Sequence, residues 1–473
     1  MYDAIVVGAG LAGLQAALTL QREGLKYLVL EARDRVGGKT LTLKDSNGKI
    51  KSDLGAAWIN DTNQSRMWEL AQELGLHTYT QNTTGNVVVQ DLDGTLVEFP
   101  YGEVPQYPSK QDTESCIAIR DLVEKLSTST SPSIFTAGPQ RKHLDSISFE
   151  TYLRESKVTD KAFATAQVWT HAMLGVDPSD VSALCFIEYC AAGGGLMTMR
   201  SDCKDGGQYL RIREGTQAFC NGMASKLKPG SLKLNSPVVG IEQKSNGVVS
   251  VSAKAPQAQT YQARKVIVSV PTPVYKTIKF SPPLPTAKTA VLNQTRYGFY
   301  TKYIISFSKP FWAERGLCGL AQSFTGPVSV FRDTSIGDDS HCLTCFIGGK
   351  FGRRWAALDE ATKKSTVLRQ ISQMLAGGED VTPYFKEVYE SPWMGEEYAG
   401  WGCPCPSMPP GVLGDGWEAL CAPAGNLHFV GTEFSTYWRG YMEGAVRSGE
   451  NGALEIIKGL KDDGKESGLR AKL

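Results

Sequence analysis

The sequence is short of histidine: five residues in 473. No Ser-His-Asp or Cys-His arrangement falls into a recognisable motif, so little supports nucleophilic or metal-assisted hydrolysis. Charge of one sign is also missing. Fifty Lys and Arg balance 49 Asp and Glu, a net charge of +1, which removes nucleic acid and anionic membranes as expected partners. No apolar run approaches the roughly 18–20 residues of a membrane-spanning helix, so no transmembrane anchor is expected. The start, MYDAIVVGAG, lacks the basic region and cleavage site of a signal peptide. Eleven cysteines make an odd, scattered set. We therefore expect reduced thiols in an intracellular compartment. His341, Cys342 and Cys345 have no second pair at zinc-site spacing, and no metal is expected.

What is present begins at once. AIVV reads as a buried parallel strand, apolar throughout. Gly8, Gly10 and Gly13 follow in GxGxxG spacing. The first permits a sharp turn, the second lets backbone approach a pyrophosphate, and the third lets helix pack close on strand. LAGLQAALTLQREG is the helix, whose N-terminus offers free N–H groups to phosphate. YLVLE is the next strand and ends in Glu31, placed to accept from both hydroxyls of an adenosine ribose. The glycines alone are weak evidence. With strand, helix and terminal acid in order they indicate a dinucleotide site.

The motif does not separate NAD from FAD. In EARDRVGGKT, Arg33, Arg35 and Lys39 surround Gly37-Gly38. This resembles the extended dinucleotide motif of FAD-dependent amine oxidases. That family usually has arginine where this chain has Lys39, so the charge survives and the bidentate fork does not. The likeness then runs nearly end to end. DLGAAWIN, with Ala57 and Trp58, is similar to the turn that passes the flavin ring. GFYTKYIISFSKPFW is similar to the segment around the flavin-facing lysine, here Lys302. GNLHFVGTEFSTYWRGYMEGAVRSGENGALEI is similar to the C-terminal flavin signature of monoamine oxidases, most of all the soluble fungal members.

The resemblance implies an α/β fold. A Rossmann-like FAD-binding domain of the glutathione-reductase type is interleaved with an α+β substrate domain. We place the FAD domain at 1–78, 213–291 and 396–460, the substrate domain at 79–212 and 292–395, and a flexible tail at 461–473. The family's adenine contact in PVVG is assigned to Val239, with Val238 as the alternative. Met442 opens a helix whose positive end faces the flavin's negative edge, and Glu433 either helps hold the cofactor or caps local backbone.

The implied reaction is oxidation of an amine to an imine, hydrolysed to an aldehyde or ketone, with O2 reduced to H2O2. The resemblance gives Lys302 a water-mediated role at the flavin edge where oxygen reacts. A lysine in a run of aromatic and β-branched residues otherwise reads as a solvated strand position. Tyr441 matches one of two aromatic walls that hold the amine, and Gln208 a pocket glutamine. The second wall is missing: the family's Gly-Cys-Tyr is Gly402-Cys403-Pro404 here, and Trp401 is the candidate substitute. Other readings stay open. They are a polyamine or alkaloid-amine oxidase of the same superfamily, a flavin-binding protein without turnover, and an NAD-dependent dehydrogenase. An amino-acid oxidase lacks, in sequence, an identifiable arginine to clamp a carboxylate. The oligomeric state is left open, a homo-oligomer being one option.

Cys403 also falls where animal monoamine oxidases bond the flavin covalently, and Pro404 after it suits the cis peptide found there in the family. Soluble fungal relatives often hold FAD without a bond, so both forms of attachment stand as expectations. The chain ends Ala471-Lys472-Leu473, a variant of the Ser-Lys-Leu peroxisomal address. An import receptor is thus an expected partner and the peroxisome the expected location, with the cytoplasm otherwise. A fluorescent protein fused ahead of the intact tail is expected to collect in peroxisomes, and to stay diffuse when the last three residues are removed.

Overall fold

The computed structural model describes residues 1–128, 138–254, 258–337 and 340–470. Five parallel strands form the centre of the larger sheet, in the order Leu232–Lys233, Tyr27–Leu30, Tyr2–Val7, Gln259–Val268, Leu427–Phe429. Ala4 to Val7 and Tyr27 to Leu30 are buried. That is why they read as unbroken apolar runs rather than as alternating patterns. The hairpin Val238–Gln243 and Val249–Ala253 extends the sheet antiparallel, and Lys279–Ser281 closes that edge.

The helix Leu11–Arg22 is buried from Leu11 to Leu20. It lies against the sheet on one side and the helix Met442–Arg470 on the other. Two glycines permit this. A Cβ on Gly13 would stand 2.1 Å from the Gly8 carbonyl oxygen, and one on Gly449 would stand 2.0 Å from that of Ala12. Both approaches are backbone against side-chain-free backbone, closer than any substituted residue allows.

The second sheet has seven strands: Phe385–Glu390, Tyr300–Phe307, His341–Gly348, Val330–Asp333, Leu317–Ser323, Asn86–Gln90, Leu96–Pro100. All pairings are antiparallel except Leu317–Ser323 with Asn86–Gln90. Tyr300–Phe307 is buried at every residue, and its register sets Lys302 opposite Phe346. Helices Lys110–Thr128, Asp160–Leu174 and Ala183–Ala192 form a layer beside this sheet. The space between the two sheets and this helical layer is the site described below.

The expected flexible tail differs. The helix that starts at Met442 continues to Arg470, so 461–470 prolongs it, and 471–473 lie outside the described residues. Polar composition argued against a packed core there, but a helix needs no core once a buried segment has nucleated it. No helix among the described residues is long and apolar enough to cross a membrane.

One buried charge lies apart from the central space. Lys288 is 2% exposed; its Nζ donates to the Leu420 carbonyl and sits 4.2 Å from the Phe429 ring centroid. No carboxylate pairs with it among the described residues. Desolvation lowers its pKa from the ordinary 10.5 to about 8. Below pH 8 both folded and unfolded chains carry the proton, and the cost of burying the charge is present in full. Between about 8 and 10.5 only the unfolded chain keeps the proton, so this residue's contribution to stability rises with pH. The urea midpoint of wild type relative to Lys288→Met is expected to shift in favour of wild type between pH 7.5 and 10. Equal shifts in both proteins would assign the effect to other groups.

Candidate active site

One cavity of about 710 Å³ runs from the glycine-rich turn at the end of Tyr2–Val7 to the buried face of Tyr300–Phe307. At the first end, Gly8 has φ +101°, and a Cβ there would meet Ser269 Oγ at 3.0 Å. A Cβ on Gly10 would instead project into the cavity, with Gly38 Cα its nearest protein atom at 3.9 Å. Gly13 does not line the cavity; it is the close-packing glycine of the helix. Glu31 is 4% exposed, and its carboxylate accepts from Ala9 N at 2.7 Å and Arg33 N at 3.0 Å. A carboxylate has about four acceptor positions, so capacity remains for a ribose. Arg33 pairs with Glu396 at 3.3 Å. Arg35 donates to the Val36, Thr40 and Gly38 carbonyls and so holds the second turn in shape.

Lys39 spans to the far segment. Its Nζ donates to Tyr297 Oη at 2.7 Å and to the Ala399 carbonyl at 2.8 Å. Burial lowers its pKa to about 8, opposed chiefly by the Glu433 charge. Glu433 lines the same wall, accepts from Thr272 N at 3.1 Å, and has its pKa raised by desolvation. Both roles proposed for it are thus compatible: it takes a backbone N–H and it faces the cavity. Met442 lies where the long helix begins, with its N-terminal end toward the cavity. The side-chain-free turn, the buried acid and this helix end fit a dinucleotide: Gly10 would admit its pyrophosphate and Glu31 would accept from its ribose.

At the other end, Lys302 is 7% exposed. Its Nζ donates to the Gly55 carbonyl and to that of Asp53 at 3.4 Å. The Trp58 ring lies 5.0 Å away and Phe346 5.8 Å. Desolvation lowers the Lys302 pKa to about 8, and Asp53 offsets part of that. Asp53 is itself buried, its pKa raised by desolvation, and it accepts from Thr42 Oγ1 and Thr216 N. Ala57 and Trp58 line the wall, and Trp58 Nε1 donates to Gln81. Tyr441 Oη donates to the Met199 carbonyl at 3.3 Å. Gln208 Nε2 donates to Met199 O at 2.8 Å and to Tyr441 Oη at 3.3 Å, while its Oε1 is buried without a partner. Cys403 and Pro404 line the cavity across a cis peptide, and the Cys403 thiol, its pKa pushed up to about 12 by burial, lies 3.6 Å from the Tyr300 carbonyl.

Two assignments need correction. Val239 is 42% exposed and does not reach the cavity; Val238 does. The pairing of Val238–Gln243 with Val249–Ala253 shifts register between Val238 and Gly240, and the bulge turns Val239 outward. Trp401 is 36% exposed, and its ring packs 4.3 Å from Lys276 Nζ instead of lining the site. Gly400 at φ +80° and Trp401 at φ +56° turn the chain left-handed twice in succession, carrying the ring to the surface. The aromatic enclosure is built from Trp58, Tyr300, Phe346 and Tyr441. Tyr300 was legible, since it stands two residues before Lys302 on one face of a strand. Phe346 was not, because cross-strand pairing alone brings it in.

This combination of a parallel-sheet dinucleotide cradle and an aromatic cavity holding one buried lysine defines a flavoprotein oxidoreductase. The model of flavin-containing amine oxidoreductases matches residues 11–457, and the chain belongs to that family. It is 31% identical over 463 residues to the flavin-containing amine oxidase B of Cavia porcellus, covering 97% of this chain and 86% of that one. It is 30% identical to the flavin-containing amine oxidase of Oncorhynchus mykiss, covering 96% and 86%. The solved cyclohexylamine oxidase of Brevibacterium oxydans IH-35A superposes with a TM-score of 0.89 at 28% identity, covering 97% and 99%. A putrescine oxidase bound to putrescine superposes at 0.87, with 26% identity over 97% and 99%. The protein is a flavin-dependent amine oxidase, and its cofactor is FAD.

The geometry separates the two thiols of the Cys-Pro-Cys segment. Cys403 lines the cavity, whereas Cys405 is fully buried and does not. After acid denaturation the pellet is expected to be yellow and the intact mass raised by one FAD. Cys403→Ser is expected to abolish that rise and Cys405→Ser to leave it. Flavin that washes free of wild type would make Cys403 a wall residue only.

Proposed function

We propose that this oxidase takes a neutral amine into the aromatic enclosure and couples its oxidation to the formation of H2O2. The bound flavin supplies acceptance of two electrons from the C–N bond and their return to O2. The observation that carries the reading is the position of Lys302, a buried ammonium among Trp58, Phe346 and backbone carbonyls, with no carboxylate in direct contact among the described residues. Its Nζ can hold or release a proton near pH 8. That suits a group facing a centre where negative charge develops.

The enclosure does the rest. Trp58, Tyr300, Phe346 and Tyr441 leave an apolar space that penalises an ammonium and favours the unprotonated amine. Gln208 Oε1, buried and unpartnered, accepts one amine N–H, and the Gln208–Tyr441–Met199 hydrogen bonds fix its direction. Water is kept from the reacting carbon by the same rings. The imine product is hydrolysed by water to a carbonyl compound and an amine or ammonia.

Peroxide release from a panel of amines tests the reaction. Lys302→Met is expected to keep the flavin spectrum and to slow reoxidation of the reduced enzyme by O2 roughly a hundredfold, the order lost when a preorganised charge or donor is removed. An unchanged rate in stopped-flow mixing would make Lys302 a structural residue.

A further inference from the structure

The cavity has donors that the reaction does not use. Arg200 follows Met199 in the chain, and the Met199 carbonyl accepts from both Gln208 and Tyr441. Its side chain therefore lies one residue from the amine-binding groups, and it lines the cavity. Among the described residues Arg200 makes no hydrogen bond and no ion pair; its only contact of note is the Trp169 ring, 5.3 Å from the guanidinium carbon. The two neighbouring guanidiniums differ. Arg332 is paired with Asp202, and Arg120 with Asp121 at 2.7 Å. Trp169 is 1% exposed, lines the same part of the cavity, and its Nε1 has no acceptor. Glu103 also lines this region, but it is exposed.

Arg200 is half-buried in the cavity wall, and a guanidinium there without an acidic partner is matched best by a ligand that brings one. A neutral acceptor would satisfy some N–H groups and leave the charge. A carboxylate would satisfy both, through the two parallel bonds that a guanidinium fork offers. We propose that Arg200, with Trp169 Nε1 beside it, anchors a carboxylate on the substrate, so that the amine oxidised here carries an acidic group away from the reacting carbon. This rests on the amine-oxidase reading above and adds the substrate class. Gln208 Oε1 then accepts from the amine, while Arg200 and Trp169 donate to the acid. The sequence showed no arginine at a family position for such a clamp; the fold supplies one from the end of the short helix Leu196–Arg200.

The test uses the flavin-loaded enzyme and three series of matched chain length: ω-amino carboxylates, their methyl esters, and plain n-alkylamines. For at least one length the acid is expected to exceed its ester in kcat/KM by roughly tenfold or more, the order of one charge-assisted hydrogen bond. Arg200→Met is expected to remove that ratio and Arg200→Lys to restore part of it. Calorimetry with a plain aliphatic carboxylate reads the anchor without turnover: binding to wild type is expected, and weakening by a similar factor in Arg200→Met. Acid and ester equal at every length in wild type would overturn the proposal, as would a ratio that Arg200→Met leaves unmoved. If no amine yields peroxide while the carboxylate still binds through Arg200, the amine-oxidase reading fails and the anchor stands. If uncharged amines are oxidised and no carboxylate binds, the anchor fails and the oxidase stands.

Discussion

The site exists because the helix Leu11–Arg22 can be pressed between a sheet and another helix with almost no space for side chains. Gly13 lets it meet the turn at Gly8, and Gly449 lets the C-terminal helix meet it at Ala12. Residues more than four hundred apart in sequence are thereby brought to one cavity: the glycine turn and Glu31 from the first strands, and Met442 at the head of the last helix. A methyl group at either contact would have to displace backbone rather than a flexible side chain. Such packing has no low-energy adjustment. Dinucleotide binding and assembly of the chain's two ends are one geometric condition.

The second constraint is electrostatic. Lys302 is buried and Lys39 partly so, both carry pKa values lowered to about 8 by desolvation, and both spend their N–H groups on backbone carbonyls or a phenol instead of a direct carboxylate contact. Acids lie nearby, Glu433 for the first and Asp53 for the second, and each of these has its own pKa raised by burial. The lysines thus release a proton more readily, and the acids hold one more tightly, than their solvated counterparts. A solvated lysine on a strand surface would have none of this. Two sheets packed around the cavity create it by removing water.

The substrate region follows a different logic. Aromatic rings from four separate segments, Trp58, Tyr300, Phe346 and Tyr441, replace the wall that Pro404 cannot supply. Among the described residues, Gln208 Oε1, Trp169 Nε1 and Tyr107 Oη are buried cavity-lining atoms without a hydrogen-bond partner, and the Arg200 guanidinium also has none. On the reading proposed above, selectivity among amines follows from how those donors and acceptors are placed in the cavity, because a buried polar atom left unmatched costs more than a matched one returns.

The sequence by itself determined the features that depend on local spacing. Gly8, Gly10, Gly13 and Glu31 belong to one strand–turn–helix–strand unit, whose chemistry is fixed by residues close in the chain. Lys302 was conspicuous as a charge within a buried-strand pattern, and Cys403-Pro404 as a stiff cavity wall. Tertiary structure decided what depends on register and on contacts between distant segments. A bulge exchanged Val239 for Val238, and two left-handed residues sent Trp401 to the surface. Strand pairing put Phe346 opposite Lys302. The helix Met442–Arg470 ran through a stretch whose composition read as unstructured. That Arg200 has no partner among the described residues is a fact about many neighbours at once, which no local pattern contains. Spacing along the chain is written in the sequence, whereas the removal of water and the choice of neighbours come only when the sheets and helices close on one another.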